Sequence, residues 1–101
     1  MPNVYIPNQS NHDFSDAERF GKLVFLTKGS LSRFAVAEMG RIAFEALKHS
    51  SPEDYILASS LTIFNMVLTT EMLARHGKVN VLIKGSHGYV LRTIVPVSER
   101  N

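Results

Sequence analysis

Cysteine is absent from all 101 residues of the sequence. This absence excludes disulfide bonds, thiolate nucleophiles and cysteine zinc sites, and it fits a reducing compartment. No apolar run approaches the roughly 20 residues of a membrane span, and the first residues show no basic segment followed by an apolar stretch, as a signal peptide would. We therefore expect a soluble cytoplasmic chain with no membrane partner.

Hydrophobic residues make up 45% of the sequence and charged residues 20%, which is the balance of an ordinary globular protein. A chain of this length can bury one sizeable core without a metal or a disulfide. It leaves no room for a second core of similar size. The sequence therefore predicts a single domain over residues 1–101.

Apolar segments separated by turn residues predict an alternating order of strands and helices. The predicted strands cover residues 3–6, 22–27, 55–58, 79–84 and 89–95, and the predicted helices cover residues 16–20, 31–49 and 61–76. Ser15 and Glu18 have the spacing of a capping box at the start of the first helix. The nearly continuous apolar run 22–27 indicates a central strand that is buried on both faces.

Strands that alternate with helices are joined in parallel by right-handed crossovers, whereas two final strands separated by a short glycine-bounded loop form an antiparallel hairpin. The predicted fold class is therefore α/β, a small three-layer Rossmann-like sandwich. Its sheet is mostly parallel, with a C-terminal antiparallel hairpin.

Positive charge is concentrated in the last third of the chain, where residues 72–101 contain five lysines and arginines against one acidic residue. Such a distribution attracts anionic partners, although charged side chains on a strand edge also serve to prevent aggregation. The sequence contains no basic run interleaved with aromatic residues, so it gives no support to a polymeric nucleic acid partner.

Small polar residues follow three of the predicted strands. In open α/β sheets, ligands bind beyond the carboxyl ends of the strands, where free helix amides favour negative charge. We predict a site for a small anionic ligand there, formed by Ser10, Asn11 and His12 after the first strand, Lys28, Gly29 and Ser30 after the second, and Ser59 and Ser60 after the third. The same residue types also cap helices in proteins without any ligand, so capping is the alternative interpretation.

Catalytic and metal-binding patterns are sparse. His12 and Asp13 are a possible general base and orienting carboxylate, but adjacent residues rarely face each other. The histidines lack the spacing of zinc ligands, and no G-x-S-x-G sequence marks a serine nucleophile. We predict no catalytic residue, no metal and no cofactor.

Phe34 and Phe44 fall beside the charged face of the predicted helix 31–49. Exposed aromatic residues on a helix indicate either a subunit contact or a contact with a neighbouring loop. A contact between subunits would make the protein a homo-oligomer. In a site shared between subunits, Lys84 and Arg92 of the basic hairpin would reach the phosphate of a ligand.

Four segments carry a resemblance to a protein family: V-Y-I-P-N, H-D-F-S-D-A-E-R-F-G, L-V-F-L-T-K-G and S-S-P-E-D-Y-I-L. Together they resemble short α/β proteins of unknown function encoded by bacteriophages, over most of the chain. The resemblance implies a small product in the host cytoplasm that acts by binding, either by sequestering a host nucleotide signal, and so acting against host defence, or by blocking a host protein. It transfers no catalytic residue to this chain.

The leading hypothesis is a non-enzymatic binding protein for a small anionic ligand, a nucleotide or nucleotide-derived signal. The first alternative is a protein-binding inhibitor or adaptor that uses Phe34, Phe44 and the edge strand 89–95. The second is a small hydrolase or phosphodiesterase that uses His12 and Asp13.

Overall fold

Five strands and two α-helices alternate along the chain in the computed structural model, which describes residues 1–59 and 61–97. The strands are β1 (Asn3–Ile6), β2 (Lys22–Phe25), β3 (Tyr55–Leu57), β4 (Val79–Gly85) and β5 (Gly88–Ile94), and the helices are α1 (Val36–Ala46) and α2 (Thr62–His76). Two 3-10 helices cover Ser15–Arg19 and Leu47–His49. The predicted α/β fold class is confirmed.

The strands form one sheet in the order β2-β1-β3-β4-β5, in which only β5 runs antiparallel to its neighbour. The chain moves to one side from β1 to β2 and then returns past β1 to β3 and β4. Because such crossovers are right-handed, this reversal puts the connection between β1 and β2 on one face and the later ones on the other. The 3-10 helix Ser15–Arg19 therefore covers one face, and α1 and α2 cover the other.

The core is divided by the sheet into two apolar clusters, as the alternation of side chains along each strand requires. The cluster on the helix side contains Tyr5, Ile56, Val79 and Val81 from the sheet, with Met39, Ala43, Leu47, Phe64, Leu68 and Met72 from the helical segments. The cluster on the opposite face contains Val4, Ile6, Leu57, Leu82 and Tyr89 from the sheet, with Phe14 and Ala17. The third layer is thus a single short helix and its flanking loop.

The prediction that the second strand is central is wrong, because β2 lies at one end of the sheet. β2 is nevertheless apolar because other parts of the protein pack on both of its faces. Val24 packs against the helix-side cluster, whereas Leu23 and Phe25 pack against the opposite one. A continuous apolar run therefore indicates that both faces of a strand are covered. It does not indicate whether the strand has one or two neighbouring strands in the sheet.

The long helix predicted over residues 31–49 begins five residues later, at Val36. Ser32 explains the delay, because its hydroxyl accepts a hydrogen bond from the Phe34 amide and its carbonyl accepts one from the Ala35 amide. Serine competes in this way with helical hydrogen bonding. The last predicted turn is the separate 3-10 helix Leu47–His49.

The predicted capping box at the first short helix is also wrong. The Ser15 amide donates to the Asp13 carboxylate at 2.9 Å, and this helix has no side-chain hydrogen bond at its cap, which is Phe14. The start of the segment is therefore fixed by an aspartate turn that precedes the serine.

The second half of the chain follows the prediction closely. The helix predicted over residues 61–76 is α2, and it ends at Gly77, whose φ of 74° allows its N–H to bond the Leu73 carbonyl. The two predicted C-terminal strands form the hairpin of β4 and β5, with Gly85 opposite Gly88.

Candidate functional site

The carboxyl ends of β1 and β3 lie side by side where the chain reverses its direction of travel across the sheet. β1 connects outward to β2, whereas β3 connects onward to β4, so the loops that follow β1 and β3 leave on opposite faces. Ligands of open α/β sheets bind in the crevice that such a reversal creates. The loop after β1, residues 7–14, and the residues 58 and 59 that follow β3 flank this position.

Two cavities open at this edge of the sheet, on either side of the loop after β1. The first, which we call the switch-point cavity, has a volume of about 430 Å³ and is lined by His12, Asp13, Phe14, Leu57, Ala58, Ser59, Lys84 and Tyr89. The second has a volume of about 390 Å³ and is lined by Asn8, Gln9, Ser10, Asn11, Gly29, Leu31 and Leu61. Of the residues predicted to form one site, His12, Ser59 and Lys84 line the first cavity, whereas Ser10, Asn11 and Gly29 line the second.

The side of the loop that faces β2 is occupied by structural hydrogen bonds. The Gln9 amide donates to the Thr27 carbonyl at 2.8 Å, the Asn8 side-chain amide donates to the Gly29 carbonyl at 2.7 Å, and the Thr27 hydroxyl donates to the Pro7 carbonyl at 2.7 Å. These bonds extend the pairing of β1 and β2 beyond the strands. The amides of this region therefore serve the loop itself.

The loop after β3 is held by Asn65, from the first turn of α2. Its side-chain amide donates to the Ser59 carbonyl at 2.7 Å, and its side-chain oxygen accepts from the Ser59 amide at 3.4 Å. The Ser59 hydroxyl oxygen is buried without a hydrogen-bond partner within the described part of the chain. A buried hydroxyl without a partner is a costly arrangement that a bound ligand can relieve.

Lys84 contributes a positive charge to the switch-point cavity from the end of β4. Its side chain lies on the same face of the hairpin as Tyr89, its partner in the register, with the ammonium group 5.3 Å from the centre of the Tyr89 ring. The residue is exposed, so the ammonium is accessible to a ligand that enters from solvent. The cavity thus combines one cation with an aromatic wall.

Asp13 contributes the opposite charge to the same cavity. The Ser15 amide that donates to its carboxylate holds the pKa of Asp13 below its ordinary value, and the Ser15 hydroxyl and the charge of Lys84 act in the same direction. Asp13 is therefore ionised throughout the neutral range. The cavity presents both a cation and an anion to whatever it binds.

The aromatic wall is the part of the site that the sequence analysis missed. Phe14 packs against Phe25 with a ring-centre distance of 5.7 Å, and the His12 ring lies 6.2 Å from that of Phe14, edge to face. Burial raises the pKa of the Tyr89 phenol, and the negative charges of Asp16 and Asp13 raise it further. The hairpin register, which pairs Tyr89 with Lys84, was the signal that could have identified this tyrosine.

Several predicted ligand residues lie outside the switch-point cavity. Lys28 and Ser30 are exposed and line neither cavity, and α1 begins too far along the chain for its free amides to meet them. Ser10, Asn11 and Gly29 line the second cavity. Ser60 lies outside the described residues.

Arg92 does not join Lys84. It pairs with Val81, whose side chain packs on the helix side of the sheet, whereas Lys84 lies on the opposite face with Tyr89. The period of two along a strand puts the two cations on different faces of the hairpin. Within one copy of the chain they cannot bind the same phosphate.

The two predicted interface residues are exposed, as expected, but their surroundings differ. Phe44 lies beneath the Arg75 guanidinium at 5.1 Å and the Lys48 ammonium at 5.7 Å. Phe34 is 78% exposed and borders an apolar groove of about 540 Å³ at the start of α2. Phe44 thus has an intramolecular role in joining α1 to α2.

Two further properties concern only the described residues. No three histidine or acidic side chains cluster there in a way that could hold a metal ion. None of the described helices has the length and apolar character that crossing a bilayer requires.

Comparison with known proteins places this chain in a family. A family model described as phage Pam3 gp32-like protein matches residues 2–89, which include all of β1 to β4 and the whole lining of the switch-point cavity. The searches of curated proteins and of solved structures gave no match. The resemblance to phage proteins is thereby confirmed, and the chain belongs to the phage Pam3 gp32-like protein family.

Proposed function

We propose that this protein binds a small anionic ligand, a nucleotide or nucleotide-derived signal, in the switch-point cavity, without converting it chemically. The observation that carries the proposal is the convergence of Lys84, Ser59 and His12 on one cavity beside an aromatic wall. These groups come from three separate segments of the chain. Their meeting at the reversal point of the sheet matches the place where open α/β folds bind ligands.

The dimensions and the wall of the cavity suit a nucleotide. Its volume of about 430 Å³ lies within the range of small-molecule sites. Phe14 and Tyr89 offer aromatic surface, and the stacking of a base on an aromatic side chain contributes about 1–3 kcal/mol. The apolar residues Leu57 and Ala58 complete a surface that excludes water from one side of a ligand.

The charges of the cavity favour a nucleotide over a simple anion. The Lys84 ammonium is a point charge suited to a phosphate group, and the Ser59 hydroxyl can donate a hydrogen bond to a phosphate oxygen. The ionised Asp13 would repel a free phosphate ion. It would instead accept hydrogen bonds from a ribose hydroxyl or a base amino group on the part of the ligand that points away from Lys84.

Binding without turnover gives the protein a role in the infected cell. A phage protein that holds a host nucleotide signal lowers the free concentration of that signal and so acts against host defence. Family membership supports the phage origin, and the polar and aromatic lining of the cavity supports the class of ligand. Hydrolysis through His12 and Asp13 is the alternative at this same cavity, and the experiment must distinguish the two.

Isothermal titration calorimetry with AMP and GMP tests the proposal, with adenosine as the uncharged control. We expect at least one mononucleotide to bind. The nucleoside should bind at least about tenfold more weakly, because a phosphate–lysine contact is a strong charge-assisted hydrogen bond. Lys84→Ala should lose about tenfold in affinity for the same reason, whereas Lys28→Ala, an exposed lysine outside the cavity, should bind as the wild type does.

Three results would contradict the proposal. They are the absence of binding by either mononucleotide at about 1 mM, an unchanged affinity for Lys84→Ala, and a loss of affinity for Lys28→Ala that equals the loss for Lys84→Ala. Phosphorus NMR of the titrated samples separates binding from turnover. Phosphate release that disappears in His12→Ala would establish a hydrolase in place of a binding protein.

A further inference from the structure

β5 is the last strand of the sheet, and half of its backbone groups point away from β4. The Leu82 carbonyl bonds the Ala58 amide on the β3 side, so the Leu82–Leu91 pair exchanges no hydrogen bonds within the hairpin. By the alternation of an antiparallel ladder, the peptide groups of Tyr89, Leu91 and Thr93 point outward. We call these groups, which pair with no other described strand, the free edge of β5.

Two arginines cover outward carbonyls of this free edge. The Arg19 guanidinium, from the 3-10 helix Ser15–Arg19, donates to the Tyr89 carbonyl at 2.9 Å. The Arg92 guanidinium donates to the carbonyl of its own neighbour, Leu91, at 2.8 Å. Arg19 is partly buried at its contact, whereas the contact of Arg92 is exposed and lies between adjacent residues. Of the two, only Arg92 can therefore release its carbonyl partner without disturbing the fold.

The surface beside Arg92 is apolar. Val90 and Ile94, two positions away on either side, share its face of β5 and are 39% and 46% exposed, and the adjacent Ile83 on β4 is 46% exposed. Among the described elements, β5 packs mainly on β4 and on the 3-10 helix of the opposite face, so neither α1 nor α2 covers this strip. An exposed apolar strip on an edge strand is a surface for strand addition.

We propose that the free edge of β5 binds an extended segment of another protein that has an acidic residue between two apolar ones, at alternate positions. The added strand would place its acidic side chain beside Arg92 and its apolar side chains beside Val90 and Ile94. Arg92 would then exchange the Leu91 carbonyl for the carboxylate, and the Leu91 carbonyl would accept an N–H from the new strand. The pattern is symmetric, so it fits a parallel or an antiparallel strand.

Charge complementarity favours an acidic partner strand over a second copy of β5 as the occupant. Residues 77–97 contain Lys78, Lys84 and Arg92 and no acidic residue. No pairing of β5 with another β5 would therefore put a carboxylate opposite Arg92, and in the symmetric antiparallel register the two arginines would face each other, which is unfavourable. A partner strand that supplies a carboxylate removes this penalty.

Fluorescence anisotropy with two labelled heptapeptides tests the proposal. The acidic peptide is Thr-Val-Thr-Glu-Thr-Val-Thr with blocked ends, and its matched control has lysine in place of glutamate. We expect the acidic peptide to bind the wild-type protein at least about tenfold more tightly than the lysine peptide, because one contact changes from attraction to repulsion. The exposed Arg92→Glu variant should reverse this preference, whereas Arg41→Glu, on α1, should leave it unchanged.

Hydrogen exchange observed by NMR locates the peptide. Its binding should slow exchange of the Leu91 and Thr93 amides, which point to the free edge, and leave the Val90 amide unchanged. The proposal is overturned if neither peptide binds at about 1 mM, if Arg92→Glu keeps the wild-type preference, or if the Leu91 and Thr93 amides exchange as before. It is also overturned if, without any peptide, protection of those amides increases with the protein concentration. That result would show that a second copy of the chain occupies the edge.

Discussion

The Asp54 carboxylate accepts a hydrogen bond from the Asn3 backbone amide, 2.9 Å away, and so joins the turn before β3 to the start of β1. Asp54 is buried and also accepts from the Ser51 amide at 3.0 Å. The Asn80 side-chain amide donates to the Asp54 carbonyl, and the Thr93 hydroxyl donates to the Asn80 side-chain oxygen. The amino ends of the strands are thus closed by internal hydrogen bonds, whereas cavities open at the carboxyl ends.

Removal of the Asp54 carboxylate should destabilise the fold. Asp54→Ala leaves two partly buried backbone amides without an acceptor, and we expect it to lower the free energy of unfolding by about 2–3 kcal/mol. Asp54→Asn keeps one acceptor oxygen and should cost less. Urea denaturation measures both, with the exposed Glu53→Ala as the control, expected within about 0.5 kcal/mol of the wild type. Equal stability for Asp54→Ala and Glu53→Ala would contradict this role.

Alanine should have opposite effects at two glycines. A Cβ atom at Gly21 would lie 2.2 Å from the Pro2 carbonyl oxygen, whose position is fixed by a hydrogen bond from the Lys22 amide. We expect Gly21→Ala to destabilise the protein by more than about 2 kcal/mol, because backbone must move. A Cβ at Gly40, inside α1, meets nothing within 4 Å. Gly40→Ala should raise stability by about 1 kcal/mol through helix propensity.

Thermal unfolding of the two glycine variants side by side checks this pair. A lower melting temperature for Gly21→Ala together with a higher one for Gly40→Ala is the expected result. Similar shifts in the same direction would show that the contact of Gly21 with Pro2 does not constrain the strand pair of β1 and β2.

Phe44 should couple energetically to Arg75. The guanidinium lies 5.1 Å from the ring centre and also donates to the Phe44 carbonyl at 3.1 Å. A double-mutant cycle of Phe44→Leu and Arg75→Lys should give a coupling of about 0.5–1 kcal/mol, the usual size of an exposed cation–π contact. The same cycle with Phe34→Leu, whose ring is remote from Arg75 in the fold, should give none. A zero coupling at Phe44 would leave a subunit contact as the explanation for this exposed ring.

Alkaline pH should weaken the fold through two tyrosines. Burial raises the pKa of Tyr5 and of Tyr89 above the ordinary value. The unfolded chain therefore loses these phenol protons at lower pH than the folded chain does. The stability that both contribute is complete below a pH of about 10 and is lost as the pH rises through the folded-state values.

Denaturation with urea at a pH of about 8 and of about 11 measures this effect. The double variant Tyr5→Phe, Tyr89→Phe removes both groups, so it should lose less stability between the two conditions than the wild type loses. Lysine titration is common to both proteins and cancels in the comparison. Equal losses would show that neither phenol is more protected in the folded state.

Asn65 should control the loop after β3. Its two hydrogen bonds hold the Ser59 backbone. Asn65→Ala should speed hydrogen exchange of the Ser59 amide by about tenfold or more, as expected where local opening becomes easier. Asn65→Asp keeps the acceptor for that amide but loses the donor to the Ser59 carbonyl, so exchange should be intermediate. Unchanged exchange in Asn65→Ala would show that other contacts hold the loop in place.

The identity and order of the secondary-structure elements were determined by local sequence. Helix α2 and the hairpin of β4 and β5 match their predicted ranges because the period of apolar residues, Gly77 at the helix end and the paired Gly85 and Gly88 act within a few residues of each other. Where local signals competed, the prediction failed. Ser32 delays α1, and Asp13 replaces Ser15 at the start of the first 3-10 helix.

That loops and cavities lie beyond the carboxyl ends of the strands was also predictable, because any parallel α/β sheet brings its loops to that edge. Tertiary structure alone decided which residues meet there. Strand order put β2 at the end of the sheet and brought β1 next to β3, and the pleat of the hairpin put Lys84 with Tyr89 on one face and Arg92 on the other. These outcomes depend on contacts between residues distant in the chain, and local conformational preferences do not encode the partner across the sheet.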